Sequence, residues 1–502
     1  MTLVASDLSG LDLDQLCDAA LSIKADHVDV RITATRTAYL TRRDHAAEAD
    51  IDHCQISLGV RVLHEGAWGF AGTTNLTTAA AAAAANSAAA MAQAMAPAVQ
   101  QPVVLAPEPQ QEGNWTSTYE LDPFELTAAQ RMSFLEGGCE QLMTAAAVSH
   151  VRASAMAVRE ETVYADTAGS RTRQRRVRVQ GEFTGVNIDP AGNFETLRTT
   201  APPAGRGWEY LLGQGARRGS ARPWDWQAEL AALPDRLAEK AAAPTVRPGT
   251  YDLVIDPTNL WLTIHESIGH ATELDRVRGY EANYAGTSFA TEDKLGSFQY
   301  GSPLLNVTGD RLVEHGLATV AWDDEGVAAQ DWSLIESGTL VGYQLDRAMA
   351  GAAGVRSNGC AYADSGLHVP LQRMPNVTMQ PDPAGGSTAD LIADVEDGIY
   401  VVGDNSWSID MQRYNFQFTG QRFERIRNGE LVGQVKDVAY QGVTPAFWGS
   451  LRAVGGPETT LLAGALNCGK GQPGQSAPVS HGAPSAVFSA VNVLNSKEEA
   501  GA

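Results

Sequence analysis

The sequence reads as an α+β protein in two parts. Residues 1–245 read as an N-terminal α/β domain with a largely antiparallel sheet, and residues 246–502 as a C-terminal β-rich, barrel-like domain carrying one histidine-bearing helix. Three observations predict this. Helical stretches and long β-patterned stretches alternate through the first part. The segment PTVRPG, Pro244 to Gly249, looks like a linker. Beyond the histidine-bearing helix, Gly and Pro recur almost every ten residues, as in all-β barrels or sandwiches.

In chain order, residues 8–24 read as an opening helix with Leu11, Leu13, Leu16, Ala20 and Leu21 as apolar positions. HVDVRITATRTAYLTRR alternates as strands do, and ISLGVRVLHEGAWGFAGT is a hairpin turning at His64-Glu65-Gly66. The alanine-rich run from Thr77 to Met95 has high helix propensity, and Pro97 ends it. Residues 106–123 read as a polar loop, and residues 124–147 as an amphipathic helix. Two strands follow, VSHVRASAMAVREETVYADT and TRQRRVRVQGEFTGVN. The arginines at 171, 173, 175, 176 and 178 in the second read as a solvated strand face rather than a nucleic-acid patch. Residues 224–243 are helical. In the second part, two further pieces, 345–351 and 391–398, read as helical or irregular.

Composition excludes several classes. The chain has 502 residues, 44% of them hydrophobic and 19% charged, as in globular proteins. Its net charge of −22 argues against nucleic acid or an anionic membrane as partner. No apolar run reaches the roughly 18 residues of a membrane span. The opening residues MTLVASDLSGLDLDQL lack the basic and apolar regions of a signal peptide, so a cytoplasmic location is expected. Five scattered cysteines, Cys17, Cys54, Cys139, Cys360 and Cys468, fit reduced thiols and leave one free to act as a ligand.

The candidate chemistry lies in YDLVIDPTNLWLTIHESIGHATELD, residues Tyr251 to Asp275. A strand (Leu253, Val254, Ile255) leads to Asp256 as N-cap and Pro257 as first helical residue. His265, Glu266 and His270 sit on the helix that follows. Two neutral imidazoles hold a metal and a carboxylate takes a proton from water in zinc hydrolases. The spacing is unusual. Histidines four apart lie roughly 40° apart around a regular helix, whereas histidines five apart lie roughly 140° apart. Convergence therefore requires a π-bulge or a break before His270, which Gly269 would permit.

A third ligand must come from far along the chain. Cys468, in the Gly-rich LAGALNCGKGQPGQS, leads; Lys470 beside it would favour the thiolate. His315, His368 and His481 are the alternatives, each read on its own as a surface histidine. Glu273 and Asp275 are positioned to hold the free imidazole N–H groups or simply to face solvent. Gly464, Gly469 and Lys470 mimic a phosphate-binding loop, but Gly471 replaces the required hydroxyl residue. No serine sits in a G-x-S-x-G elbow. The carboxylates Asp323-Asp324-Glu325 and Asp394, Glu396, Asp397 read as turn or surface groups.

HESIGHATELD, DDEGVAAQ, RMPNVTM, DGIYVVGD, FQFTGQRFERIRNGELVGQV and NCGKGQPGQS, in this order over residues 250–495, resemble the TldD/PmbA family of metallopeptidases, and among them the TldD-type subunit that bears the metal motif. The resemblance implies Zn2+ held by His265, His270 and Cys468, with Glu266 as catalytic base. It implies flexible peptides or peptide-derived small molecules as substrates. It also implies a dimer, either of this chain or with a PmbA-type subunit lacking the motif. The chain departs from the family pattern at Asp404–Asp410, where Trp407 would narrow a substrate groove. That departure suits a specialised amide hydrolase, or another metal-dependent step on a small metabolite. A third reading is a non-catalytic peptide-binding or partner subunit. The substrate-binding residues are not legible from the sequence.

Overall fold

A computed structural model describes residues 7–216 and 222–497. Residues 1–6, part of the opening stretch read above for a signal peptide, lie outside the described residues. The fold is α+β, with largely antiparallel sheets and a closed barrel in the C-terminal part.

The N-terminal sheet is built on four long strands: β1 (His27–Arg43), β2 (Ala46–His64), β5 (His150–Asp166) and β6 (Arg171–Ile188). With β3 (Ala67–Thr73) and β4 (Glu112–Thr116) the order is β3-β2-β1-β5-β6-β4, and β7 (Phe194–Arg198) adds to β6. All pairings are antiparallel except β4 with β6. β4 falls inside the stretch expected to be a loop; five residues of alternating exposure give too weak a pattern to read. The opening helix α1 is shorter than expected, Leu13–Ala20, and begins at Asp12, whose carboxylate caps Gln15 N–H.

The alanine-rich helix α2 (Thr78–Met95) packs on β2 and β3. Its composition has a steric reason. A Cβ at Gly69 would lie 1.9 Å from the Ala88 carbonyl oxygen and 2.7 Å from Ala92 N. Backbone meets backbone here, so larger side chains on either element would separate them. Helices α3 (Ala128–Met143) and α4 (Trp226–Ala242) cover β5 and β6 around Phe183, Trp208 and Trp226.

The segment after α4 pairs with Lys436 and leads into β8 (Gly249–Ile255). β8 joins Asp397–Ile409, Asn415–Arg427, Val438–Val443 and Ala486–Asn495 in a five-stranded circuit, closed by pairing of the 397–409 and 415–427 strands. Helix α5 (Pro257–Ile264) leaves β8, and all eight of its residues are buried. It lies against the 397–409 strand and the hairpin Leu461–Lys470/Gln475–Ala483.

The two parts meet across buried ion pairs. Arg31 reaches Asp324 (2.8 Å), Arg61 bridges Asp29 (2.8 Å) and Glu325 (3.0 Å), and the Tyr362 hydroxyl donates to Glu160 (2.9 Å). This corrects two expectations. Asp323, Asp324 and Glu325 are buried: Arg31 and Arg61 of the opposing sheet claim Asp324 and Glu325, and Asp323 accepts from the N–H groups of Glu325, Val327 and Ala361. Arg176 and Arg178 of β6 are buried with Glu160 between the parts, while Arg171, Arg173 and Arg175 do face outward. A contact between distant segments leaves no local periodicity to detect.

Candidate metal centre

The site begins where α5 ends. Asp256 caps the helix through Thr258 N–H (3.0 Å), and Pro257 starts it. After Ile264 the chain enters a π turn, His265–Gly269, in which the His270 N–H bonds the His265 carbonyl five residues back. Such a turn places residues five apart on one side, as an α-turn does for residues four apart. The His265 and His270 rings consequently stand 4.6 Å apart, edge to face.

A π turn disturbs the regular ladder, and side chains take up the carbonyls. The Ser267 carbonyl accepts from the Tyr300 hydroxyl, the Ile268 carbonyl from Thr272 Oγ1 (2.9 Å), and the Gly269 carbonyl from Gln344 Nε2 (2.5 Å). Gly269 itself has ordinary helical dihedrals, φ −53° and ψ −61°. Space is the tighter constraint: a Cβ there would stand 2.5 Å from Met374 Sδ and 2.8 Å from its Cε, so the end of that side chain would have to shift.

Cys468 comes from the 461–470 strand, at a register shift between Ala465 and Cys468 in its pairing with the 475–483 strand. A bulge of this kind re-aims a side chain. Its Sγ lies 3.6 Å from His270 Nε2. Among the described residues, His265, His270 and Cys468 are the group whose ligand atoms all lie within 4.8 Å of one another, and all three are buried. The donor set fits zinc. Bonds of about 2.0–2.1 Å to nitrogen and about 2.3 Å to sulfur at tetrahedral angles separate the two donors by about 3.5 Å, close to the observed 3.6 Å.

The outer nitrogens are engaged. His270 Nδ1 lies 2.8 Å from Glu273 Oε2, and His265 Nδ1 lies 2.8 Å from His481 Nε2. Burial lowers the pKa of both rings, His270 the more strongly, so both are neutral donors. Burial opposes ionisation of Glu273, but Lys470, His270 and Arg276 together hold its carboxyl well below the usual range. Lys470 is itself enclosed by Glu273 (3.0 Å), Asp275 (2.9 Å) and Glu281 (3.1 Å). Its charge is thus directed away from the thiol. Burial pushes Cys468 up to about 11, against opposing contributions from Arg373 and Lys470. The expected activation of Cys468 by Lys470 is therefore outweighed by desolvation.

Glu266 faces the same cleft, where its Oε2 accepts from Arg413 Nη1 (3.1 Å). The cleft holds about 420 Å³. His265, Glu266, His270 and Cys468 line it, together with, among others, residues 199–203 of the N-terminal part, residues 463–467, Arg413 and the half-exposed Trp407. Of the alternative ligands, His315 and His368 stand elsewhere and His481 stands behind His265. His315 is buried against Gly205 O (3.1 Å), with a left-handed φ of +63°. His368 pairs with Asp364 (2.6 Å). His481 lies on a strand rather than in a turn and is fully buried. Arg413, Gln344 and Arg373 belong to the site and are not singled out by the sequence, since each is an isolated polar residue in an unremarkable context; His481, an alternative ligand on sequence grounds, instead contacts the outer nitrogen of His265.

A closed barrel, a helix opened by a π turn, and a nitrogen–nitrogen–sulfur donor set lining a cleft define a candidate metal centre. Comparison with known proteins gives the family. Residues 248–495 match the PmbA/TldA metallopeptidase C-terminal domain and residues 28–92 match PmbA/TldA metallopeptidase domain 1. The chain belongs to the PmbA/TldD family of metallopeptidases. It is 26% identical over 487 residues to a metalloprotease of Methanothermobacter thermautotrophicus, covering 94% of this chain and 97% of that one. It is 28% identical over 226 residues, 44% of this chain and 47% of the other, to a zinc metalloprotease TldD homolog of Saccharolobus solfataricus. Its fold is similar to the crystal structure of TldE from Thermococcus kodakarensis, with a TM-score of 0.72, 14% identity, and coverage of 96% and 99% of the two chains. Among the described residues no helix is long and apolar enough to cross a membrane.

Proposed function

We propose that the protein is a zinc-dependent hydrolase of peptide or amide bonds. Its substrates on this reading are flexible peptides or peptide-derived small molecules. One observation carries the reading: the π turn that brings His265 and His270 together also turns Glu266 into the cleft they line. His265 Nε2, His270 Nε2 and Cys468 Sγ would hold the ion, with Glu273 orienting His270. Zinc, when bound, supplies Lewis acidity toward water and the scissile carbonyl. Glu266 Oε accepts a proton from the attacking water and returns it to the leaving amine. Imidazole and thiolate donors favour zinc over harder divalent ions, and a relative named as a zinc metalloprotease supports the choice.

The cleft volume of about 420 Å³ and Trp407 at its rim favour a short or peptide-derived substrate over a long chain. Exposed Tyr280, Tyr284, Met411 and Tyr414 support a dimer, either of this chain or with a family subunit lacking the His-Glu-His motif. The test is hydrolysis of an unstructured peptide by the wild type and by Glu266→Gln, each with its zinc content measured. The variant is expected to retain zinc and lose about 10²–10⁴-fold in kcat. A Glu266→Gln protein with full activity refutes the assignment of the base.

A further inference from the structure

We infer that His481 is a positioning residue that fixes the tautomer of His265, directing the His265 Nε2 lone pair toward His270 and Cys468. The inference rests on the metal reading above but concerns a residue that reading does not use. It follows from which groups accept and which donate. His481 Nδ1 lies 3.2 Å from the Val377 carbonyl oxygen, which only accepts, so Nδ1 carries the proton. The ring is fully buried between Trp261, stacked on it at 6.1 Å, and His265, and among the described residues neither ring nitrogen hydrogen-bonds a carboxylate. The ring is therefore neutral, and its Nε2 accepts. The donor facing that Nε2 at 2.8 Å is His265 Nδ1. A neutral His265 protonated on Nδ1 leaves its lone pair on Nε2.

This relay, from Val377 carbonyl through His481 to His265, differs from the arrangement at His270, whose Nδ1 meets the Glu273 carboxylate. A carboxylate partner raises the basicity of a metal-binding imidazole; a neutral imidazole partner does so less. His265 is thus the weaker-field ligand of the pair, and its orientation depends on a residue 216 positions away in sequence. Both nitrogens of His481 are engaged, which removes it as a ligand in its own right.

The alternative is that His481 merely fills space beside Trp261. His481→Phe keeps the volume and the stacking and removes both hydrogen bonds. His481→Gln keeps one acceptor and one donor. Zinc affinity of each apo protein is measured by competition with a chromophoric chelator. We expect His481→Phe to bind zinc about 10–100-fold more weakly than wild type, and His481→Gln to stay much closer to it. Equal affinity in His481→Phe and wild type, or equal weakening in both variants, overturns the inference. If His481→Phe does not fold, wild-type apo protein labelled with ¹⁵N-histidine decides: long-range ¹H–¹⁵N couplings should show His265 and His481 both protonated on Nδ1 only. His481 protonated on Nε2 overturns the relay. Wild type that binds no zinc refutes the metal reading instead, and the tautomers then decide the relay alone.

Discussion

At the scale of single residues, the site joins groups that sequence could single out to groups it could not. His265, Glu266 and His270 were visible because their types and spacing state a chemistry. Cys468 was visible as the leading partner, yet nothing in the chain placed His315, His368 and His481 where they are. The roles of His481 and Lys470 come from three-dimensional neighbours alone. Lys470 pairs with Glu273, Asp275 and Glu281, and burial keeps the Cys468 thiol hard to ionise without a metal although Arg373 and Lys470 oppose it. A soft ligand of this kind is poorly replaced by a hydroxyl. Cys468→Ser is expected to bind zinc at least about tenfold more weakly than wild type in a chelator competition; unchanged affinity would remove Cys468 from the ligand set.

At the scale of elements, the five-residue histidine spacing required a distorted helix, and the helix does pass into a π turn at His265. The reason for Gly269 was misjudged. Its conformation is one any residue adopts, and what matters is Met374 packed against it. Gly269→Ala should therefore fall short of the stabilisation that Gly→Ala brings in a helix, because the end of Met374 has to shift, read as a urea midpoint below that of the control. The control is Gly137→Ala in α3, where a Cβ meets nothing within 4 Å; it should stabilise by about 0.5–1 kcal/mol. Long strands and the alanine-rich helix were legible from periodicity. β4 and the bulge at Cys468 were not, because short pairings and register shifts depend on a partner strand.

At the scale of the whole molecule, turn spacing left barrel and sandwich open, the family resemblance implied the barrel-like sheet that is present, and the buried contact between the parts was hidden. That contact has a pH consequence. Burial and the nearby Glu325 raise Asp346 to about 8 and Asp323 to about 7. Carboxyls raised in the folded state keep their protons after the unfolded chain has lost them. Stability is thus fully present in the acid range below the ordinary carboxylate pKa and falls as pH rises toward 7–8, by about 1.4 kcal/mol per unit for each such group. Asp346→Asn carries no charge at any pH, and its amide oxygen still accepts from Met349 N–H as Asp346 does at 2.7 Å. It should match wild type near pH 3, below the ordinary carboxylate pKa, and exceed it increasingly in denaturant resistance as the pH rises to 8. A pH-independent difference would refute this account of Asp346.

On the proposed function His265, His270 and Cys468 together bind one zinc ion. Zinc-edge X-ray absorption of the zinc-loaded protein measures this directly. The expected first shell has one sulfur at about 2.3 Å and two imidazole nitrogens at about 2.0–2.1 Å. A first shell without sulfur, or with a single imidazole, contradicts it.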